Sequence, residues 1–237
     1  MYSLDLADLG WSDDLERARE TAGRPDLIPA RVAADLGSAL RLLAPTDTLN
    51  ALPCPDACVG DWVLYAPPDG DAPVRIDTVL PRSSALVRQA AGRRTAVQAI
   101  AANLDVVFVV TAMDADFNPR RLERYLAAVA SSGAQGVVVV NKSDLALGKE
   151  QAFLGQLPEH WPAVAASAAI GLGLDALRAY LGTGRTCGFV GSSGTGKSSL
   201  IRALLGQDVG VVGEVRASDG RGQHHTTRRE LYLLPGG

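Results

Sequence analysis

The sequence predicts an α/β protein with a parallel sheet, preceded by a small β-barrel. Over residues 104–237, apolar runs alternate with segments of helical periodicity, which is typical of a parallel sheet with helices on both faces. Over residues 28–90, short β-prone runs are separated by Pro, Gly and Asp, as in small barrels. The glycine-rich segment 191–198 lies between an apolar run and a helical one, which places it at the carboxyl end of a strand.

We expect three regions: an N-terminal extension at 1–27, the barrel and its linker at 28–100, and the α/β domain at 101–237. A chain of 237 residues that is 47% hydrophobic and 21% charged can form one large domain or two ordinary ones. No apolar run approaches the length of a membrane span, and no charged-then-apolar leader opens the chain, so we expect a cytoplasmic protein without membrane contact. We also expect a monomer. The three cysteines lack the second pair that a zinc site needs, and we interpret them as ordinary thiols.

The elements follow from local signals. The predicted elements of the first two regions are a helix at 12–20 and strands at 28–33, 39–43, 61–65 and 74–80. In the last region, Asn118 as N-cap and Pro119 at the first position predict a helix that ends near Gly133. Buried strands are predicted at 136–140, 162–166 and 186–190.

The strongest motif is G-x-x-x-x-G-K-S, a phosphate-binding loop. Glycines allow several backbone N–H groups to point at one phosphate chain, and the helix that follows presents its positive end to it. Lys197 would reach the β- and γ-phosphates, and the Ser198 hydroxyl would bind Mg²⁺. The expected phosphate-binding residues are Gly191, Ser192, Ser193, Gly194, Thr195, Gly196, Lys197, Ser198 and Ser199.

A second motif, N-K-x-D, follows the β-branched run at 136–140. An Asp carboxylate there can accept hydrogen bonds from the N1–H and N2–H₂ of guanine, and adenine lacks those donors. Asp144 would read the base, Asn141 would orient the loop, and the Lys142 stem would lie over the base. Ser167 and Ala168 form the S-A dipeptide with which GTPases bring a backbone N–H to guanine O6.

The two motifs occur in reverse order. In ordinary GTPases the P-loop precedes N-K-x-D, whereas here Asn141 precedes Lys197. The reversal indicates either a chance match or a GTPase domain whose chain is circularly permuted.

With these motifs, the chain resembles the RsgA (YjeQ/YloQ) family of circularly permuted, small-ribosomal-subunit-dependent GTPases. Further similar segments are G-D-W at 60–62, A-G-R-R-T at 91–95, the strand entry at 101–110 and the switch-like segment at 219–227. The resemblance implies an α/β circularly permuted P-loop GTPase domain preceded by a small OB-fold β-barrel. It also implies a GTP/GDP-binding factor that hydrolyses GTP and contacts the small ribosomal subunit and its rRNA through the barrel.

The resemblance assigns further roles to residues of the switch-like segment. Thr226 would bind Mg²⁺ together with Ser198, and His224 would assist hydrolysis with Lys197. His225 stands where the family usually has Thr, so the assignment between His224 and His225 stays open.

The family's D-T-P-G strand and zinc-binding domain would follow Gly237. We therefore interpret the sequence as a fragment or a truncated gene product, with zinc expected only in that later part. By resemblance, the D-T-P-G strand would pair with the strand at 229–234. Without it, we expect that strand to be disordered, re-paired or associated with another chain, and hydrolysis to be weak.

Two other functions fit the same motifs. A nucleotide-gated RNA-binding module with negligible turnover would need no D-T-P-G segment. A P-loop kinase or ATPase would share the phosphate loop, and the effect of Asp144→Asn on base preference distinguishes it from a GTPase.

RNA binding is not predicted by the overall charge, because the formal net charge is −3. The arginines are nevertheless clustered at Arg75, Arg82, Arg88, Arg93 and Arg94. Such a cluster is either a solvated linker or a patch that neutralises phosphates, and the resemblance favours the patch.

Overall fold

The protein folds into two compact units. One contains residues up to Asn103 together with the segment 229–233, and the other begins at Leu104. In the described part of the chain, no helix is both long enough and apolar enough to cross a membrane. The computed structural model describes residues 5–67, 70, 72–89, 97–113, 117–146, 148, 153–157, 159–206 and 229–234.

The first unit is built on a five-stranded antiparallel sheet. Its strands lie in the order β3-β2-β1-β4-β5, and a parallel bridge between Ala51 and Val74 links the β3 edge to the segment that leads into β5. A separate hairpin, β6-β7, completes the unit. The elements are α1 (Asp13–Thr21), β1 (Ile28–Asp35), β2 (Leu40–Leu43), β3 (Thr48–Ala51), β4 (Trp62–Tyr65), β5 (Ile76–Val79), β6 (Ala85–Gln89) and β7 (Val97–Ala102).

Both faces of the sheet are covered, which explains why β1 and β4 are buried almost throughout. One face packs in a cluster that includes Ala30, Val32 and Val63. The opposite face carries Trp62 and Leu64, which pack with Leu9, Leu15 and Leu27 of the N-terminal extension. Helix α1 begins as the sequence predicts, because the Ser12 side chain accepts a hydrogen bond from the backbone N–H of Leu15.

The segment 229–234 lies against the first unit. Glu230 forms an antiparallel bridge with Ala34, and the N–H of Leu231 donates to the carbonyl of Ala33 at 2.7 Å. Leu231 and Leu233 pack in the cluster around Trp62. The segment therefore contacts β1, where its alternate leucines pack on an apolar face.

The second unit is a parallel sheet with helices. Its four described strands lie in the order β10-β9-β8-β11, and every neighbouring pair is parallel. Val106, Phe108 and Val110 of β8 pack with Leu200 and Leu204 of α4. The elements are β8 (Val106–Ala112), α2 (Pro119–Ala130), β9 (Gln135–Asn141), a 3₁₀ helix (Ser143–Ala146), β10 (Ala163–Ala165), α3 (Leu174–Arg178), β11 (Cys187–Gly191) and α4 (Lys197–Leu205).

The strands predicted up to residue 190 are present, as are the predicted helices at α1, at α2 and after the phosphate loop. The strand expected at 229–234 is not formed, and this segment has a single bridge residue, Glu230. Asn118 caps α2 by accepting from the N–H of Arg121, with Pro119 in the first turn. Three strands, β3, β6 and β7, were not predicted. They are short or carry mixed polar residues, and pairing with the neighbouring strand of a hairpin, rather than an alternating pattern, defines them.

Candidate functional site

The phosphate-loop glycines occupy positions that other residues would not fit. Gly191 ends β11 with φ 145°, and a Cβ there would lie 2.2 Å from the carbonyl oxygen of Val110. Gly196 has φ 88°, and its Cβ would lie 2.2 Å from Nδ2 of Asn141. The loop therefore approaches both β8 and the end of β9 so closely that only glycine is accommodated at these two places.

Lys197 folds back over the loop. Its Nζ donates to the carbonyl oxygens of Gly191 at 3.1 Å and Ser192 at 2.6 Å. Burial lowers the pKa of the Lys197 ammonium from its usual value. Among the described residues only these carbonyl oxygens hold the partly desolvated ammonium, and an anion can replace them.

Asn141 joins the phosphate loop to the segment that would hold the base. Its side chain is 2% exposed, and its Nδ2 donates to the carbonyl of Thr195 at 2.9 Å. Its Oδ1 accepts from the backbone N–H of Ala168 at 3.2 Å. One side chain thereby aligns two loops that are far apart in sequence.

Asp144 lies next to Ser167. The Ser167 hydroxyl donates to Oδ1 of Asp144 at 2.5 Å, which orients the carboxylate. The N–H of Ser143 donates to the carbonyl of Ala166 at 3.1 Å, and this bond holds the segment that carries Asp144 against the end of β10. Lys142 is half-buried and has φ 61°, an unusual value for a non-glycine residue.

The structure thus brings together Asn141, Asp144, Ser167, Ala168 and the phosphate loop at the carboxyl edge of one parallel sheet. This edge is where open α/β sheets bind ligands. The outer residues Ser193, Ser198 and Ser199 are exposed on the same loop and on the first turn of α4.

Other predicted residues are placed differently or are not described. His224, His225 and Thr226 lie outside the described residues, as do Arg93 and Arg94. Arg82 belongs to the predicted cluster, but its guanidinium binds both carboxylate oxygens of Asp61 at 2.7 Å. Its charge is therefore already neutralised, whereas Arg75 and Arg88 of the predicted patch are exposed and form no ion pair with any described residue.

Sequence reasoning missed Arg121, in the first turn of α2. Its Nη1 donates to the Ser192 hydroxyl at 3.1 Å. A cavity beside the phosphate loop is lined by Thr111 and Ala112 of β8, by Asn118, Arg121 and Tyr125 of α2, and by residues 192–195. Only the parallel pairing of β8 with β11 brings α2 to this place, so no local signal could have found it.

No group of three or more His, Cys, Asp and Glu side chains in the described part of the chain is arranged to hold a metal ion. Ser198 is a separate case, since a P-loop hydroxyl contributes one metal ligand beside the phosphates themselves. Its hydroxyl makes no hydrogen bond to any described residue, and a hydroxyl oxygen suits Mg²⁺.

A parallel sheet whose phosphate-loop strand follows the N-K-x-D strand defines the class of circularly permuted P-loop GTPases. Known structures agree with this fold. YjeQ from Thermotoga maritima aligns with a TM-score of 0.59 at 24% identity, covering 75% of this chain and 64% of that one. YloQ, described as a circularly permuted GTPase, aligns with a TM-score of 0.54 at 18% identity, covering 77% of this chain and 65% of that one.

The chain belongs to the RsgA GTPase family, whose profile matches residues 79–237. Three similar relatives are each described as small ribosomal subunit biogenesis GTPase RsgA. The relative from Opitutus terrae is 42% identical over 260 residues, which cover 99% of this chain and 70% of the relative. The relative from Syntrophotalea carbinolica is 36% identical over 258 residues, which cover 99% of this chain and 69% of the relative.

The third relative, from Leptospira interrogans, is 42% identical over 180 residues, with 75% of this chain and 50% of the relative covered. The chain therefore spans between half and about seven tenths of the length of these curated relatives.

Proposed function

We propose that this protein binds and hydrolyses GTP as a factor for late maturation of the small ribosomal subunit. The observation that carries the proposal is the Asn141 side chain, which joins Thr195 of the phosphate loop to Ala168 of the base-binding segment. The phosphate loop and the base-binding segment are thereby joined into one site. The names of the relatives supply the ribosomal role.

Guanine selectivity follows from the chemistry of Asp144. With Ser167 bound to Oδ1, the second carboxylate oxygen and the outer lone pair of the first can accept N1–H and N2–H₂ of guanine. The N–H of Ala168 would lie beside guanine O6. Adenine has no matching donors and would leave the carboxylate without partners, which disfavours its binding.

The phosphates would lie on the backbone N–H groups of residues 191–199, with Lys197 released from its carbonyl partners to contact the β- and γ-phosphates. Ser198 and Thr226 would hold Mg²⁺, which when bound neutralises charge on those phosphates. His224, or its neighbour His225, would orient the attacking water by hydrogen bonding. Since the phosphate chain is highly charged, most of the affinity would come from these contacts.

The first unit would bind rRNA. Its strand order, with the parallel bridge from Ala51 to Val74 next to β5, supports an OB-type barrel, and such barrels bind oligonucleotides on one face and adjoining loops. Arg75 and Arg88, with Arg93 and Arg94, would contact phosphates. The place of action would be the cytoplasm, where small subunits are assembled, and the protein would act as a monomer.

Nucleotide titration tests the proposal. We expect labelled GDP to bind at least a hundredfold more tightly than labelled ADP, since a bound adenine would cover the half-buried Asp144 carboxylate without supplying the two hydrogen bonds that guanine gives. Asp144→Asn should move preference from GTP towards xanthosine triphosphate. Equal affinity for GDP and ADP, or no change of preference in the variant, would refute the GTPase assignment.

A further inference from the structure

We propose that Arg121 contacts the γ-phosphate of bound GTP and serves as an arginine supplied within the same chain for recognition of the terminal phosphate. This inference rests on the proposed function and assigns a residue that neither of the two nucleotide motifs contains. Three observations carry it: the direction of the nucleotide, the convergence of two cations and the cavity between them.

The direction of the nucleotide follows from the contacts of the phosphate loop. Asn141, which lies in the same motif as the base-reading Asp144, contacts the late part of the loop, at Thr195 and Gly196. Arg121 contacts the early part, at Ser192. Because the γ-phosphate is the part of GTP farthest from the base, it lies towards the early part of the loop.

Two cations converge on Ser192. Lys197 donates to its carbonyl oxygen at 2.6 Å, and Arg121 donates to its hydroxyl at 3.1 Å. A P-loop lysine contacts β- and γ-phosphates, so its position marks where they bind. In the part of the chain that the structure describes, neither cation forms an ion pair with a carboxylate. Two positive charges that meet at one residue, with no described carboxylate paired to either, favour an anion at this place.

The geometry of Arg121 leaves it free to bind an anion. It is half-buried, and one of its five N–H donors is engaged by Ser192. The remaining donors make no hydrogen bond to any described residue, and Arg121 lines a cavity that the phosphate loop also lines. A guanidinium binds phosphate oxygens with two parallel hydrogen bonds, which matches a terminal phosphate.

The test compares GDP with a non-hydrolysable GTP analogue on the 237-residue chain. We expect Arg121→Ala to weaken the analogue by about tenfold to a hundredfold, the range that charge-assisted hydrogen bonds supply, and GDP by less than threefold. Arg121→Lys should recover part of the analogue affinity, because it keeps the charge. Arg120→Ala is the matched control: it removes the same charge from the same turn of α2 at an exposed position, and both affinities should stay unchanged.

A purely structural role predicts a different result. If Arg121 only holds the loop through Ser192, then Arg121→Ala and Ser192→Ala would weaken GDP and the analogue by equal factors, and this would overturn the inference. An unchanged ratio of the two affinities in Arg121→Ala, with guanine still preferred over adenine, would also overturn it while leaving the proposed function intact. If the unmodified chain showed no preference for guanine over adenine nucleotides, both the inference on Arg121 and the proposed function would be overturned.

Discussion

Asp61 in the first unit and Lys197 in the second are charged groups removed from much of the solvent, yet their partners differ in kind. Asp61 is 0% exposed and accepts two hydrogen bonds from Arg82 and one from the N–H of Cys58. Among the described residues, Lys197 has only backbone carbonyls as partners, and burial lowers its pKa. The Asp61 charge is thus balanced by Arg82, whereas no described carboxylate balances the Lys197 charge.

The same difference appears around Arg31. This buried arginine donates to the carbonyls of Leu9, Gly60 and Asn103 and lies 5.4 Å from the ring centre of Trp62. Its bonds join the N-terminal extension, the turn before β4 and the residue that ends the first unit. The buried charges of Arg31 and Asp61 therefore hold parts of the first unit together, whereas the half-buried charge of Lys197 stabilises the second unit little.

The largest expected effect is at Lys197, where a substitution should weaken nucleotide binding without lowering the stability of the fold. Lys197→Ala should weaken GDP binding by roughly a hundredfold or more, since it removes charge-assisted hydrogen bonds to two phosphates. The free energy of unfolding without nucleotide should stay the same or rise, because a partly desolvated ammonium is removed. Titration with labelled GDP and urea unfolding measure the two. A loss of stability comparable with the loss of binding would contradict the comparison.

Arg82→Ala should have the opposite profile. It leaves the buried Asp61 carboxylate without its counter-ion, and we expect a loss of about 2–3 kcal/mol in the free energy of unfolding, reduced from the usual range because Arg82 is 28% exposed. GDP affinity should not change. Arg75→Ala is the control, since Arg75 is exposed and should lose less than about 0.5 kcal/mol. Equal losses in the two variants would show that the Asp61 pair does not stabilise the first unit.

A smaller effect tests the contact between Gly196 of the phosphate loop and the Asn141 side chain. Gly196→Ala should cost about 2 kcal/mol of stability without nucleotide, since the new Cβ collides with Asn141 and the backbone is strained at positive φ. Gly194→Ala shares the positive φ but meets open space, so it should show only the strain, about 1 kcal/mol. Thermal unfolding measures both. Equal losses of stability in the two variants would mean that the Asn141 side chain moves away from the new Cβ without an energetic cost.

Sequence patterns alone determined much of this protein. The phosphate loop, N-K-x-D and their reversed order are local signals, and they led to the site that Asn141 joins in the structure. The cap at Asn118 and the β-branched run of β9 are likewise read from neighbouring residues, because their causes lie within a few positions of the chain.

Tertiary structure alone decided the rest. In the sequence, Arg82 is one member of a basic cluster. In the structure, its charge is neutralised by Asp61, which lies 21 positions away. Arg121 reaches Ser192 across 71 positions, and Leu231 reaches Ala33 across the length of the chain. These contacts depend on which strands pair, and strand pairing depends on burial summed over the whole unit, which no local window of sequence contains.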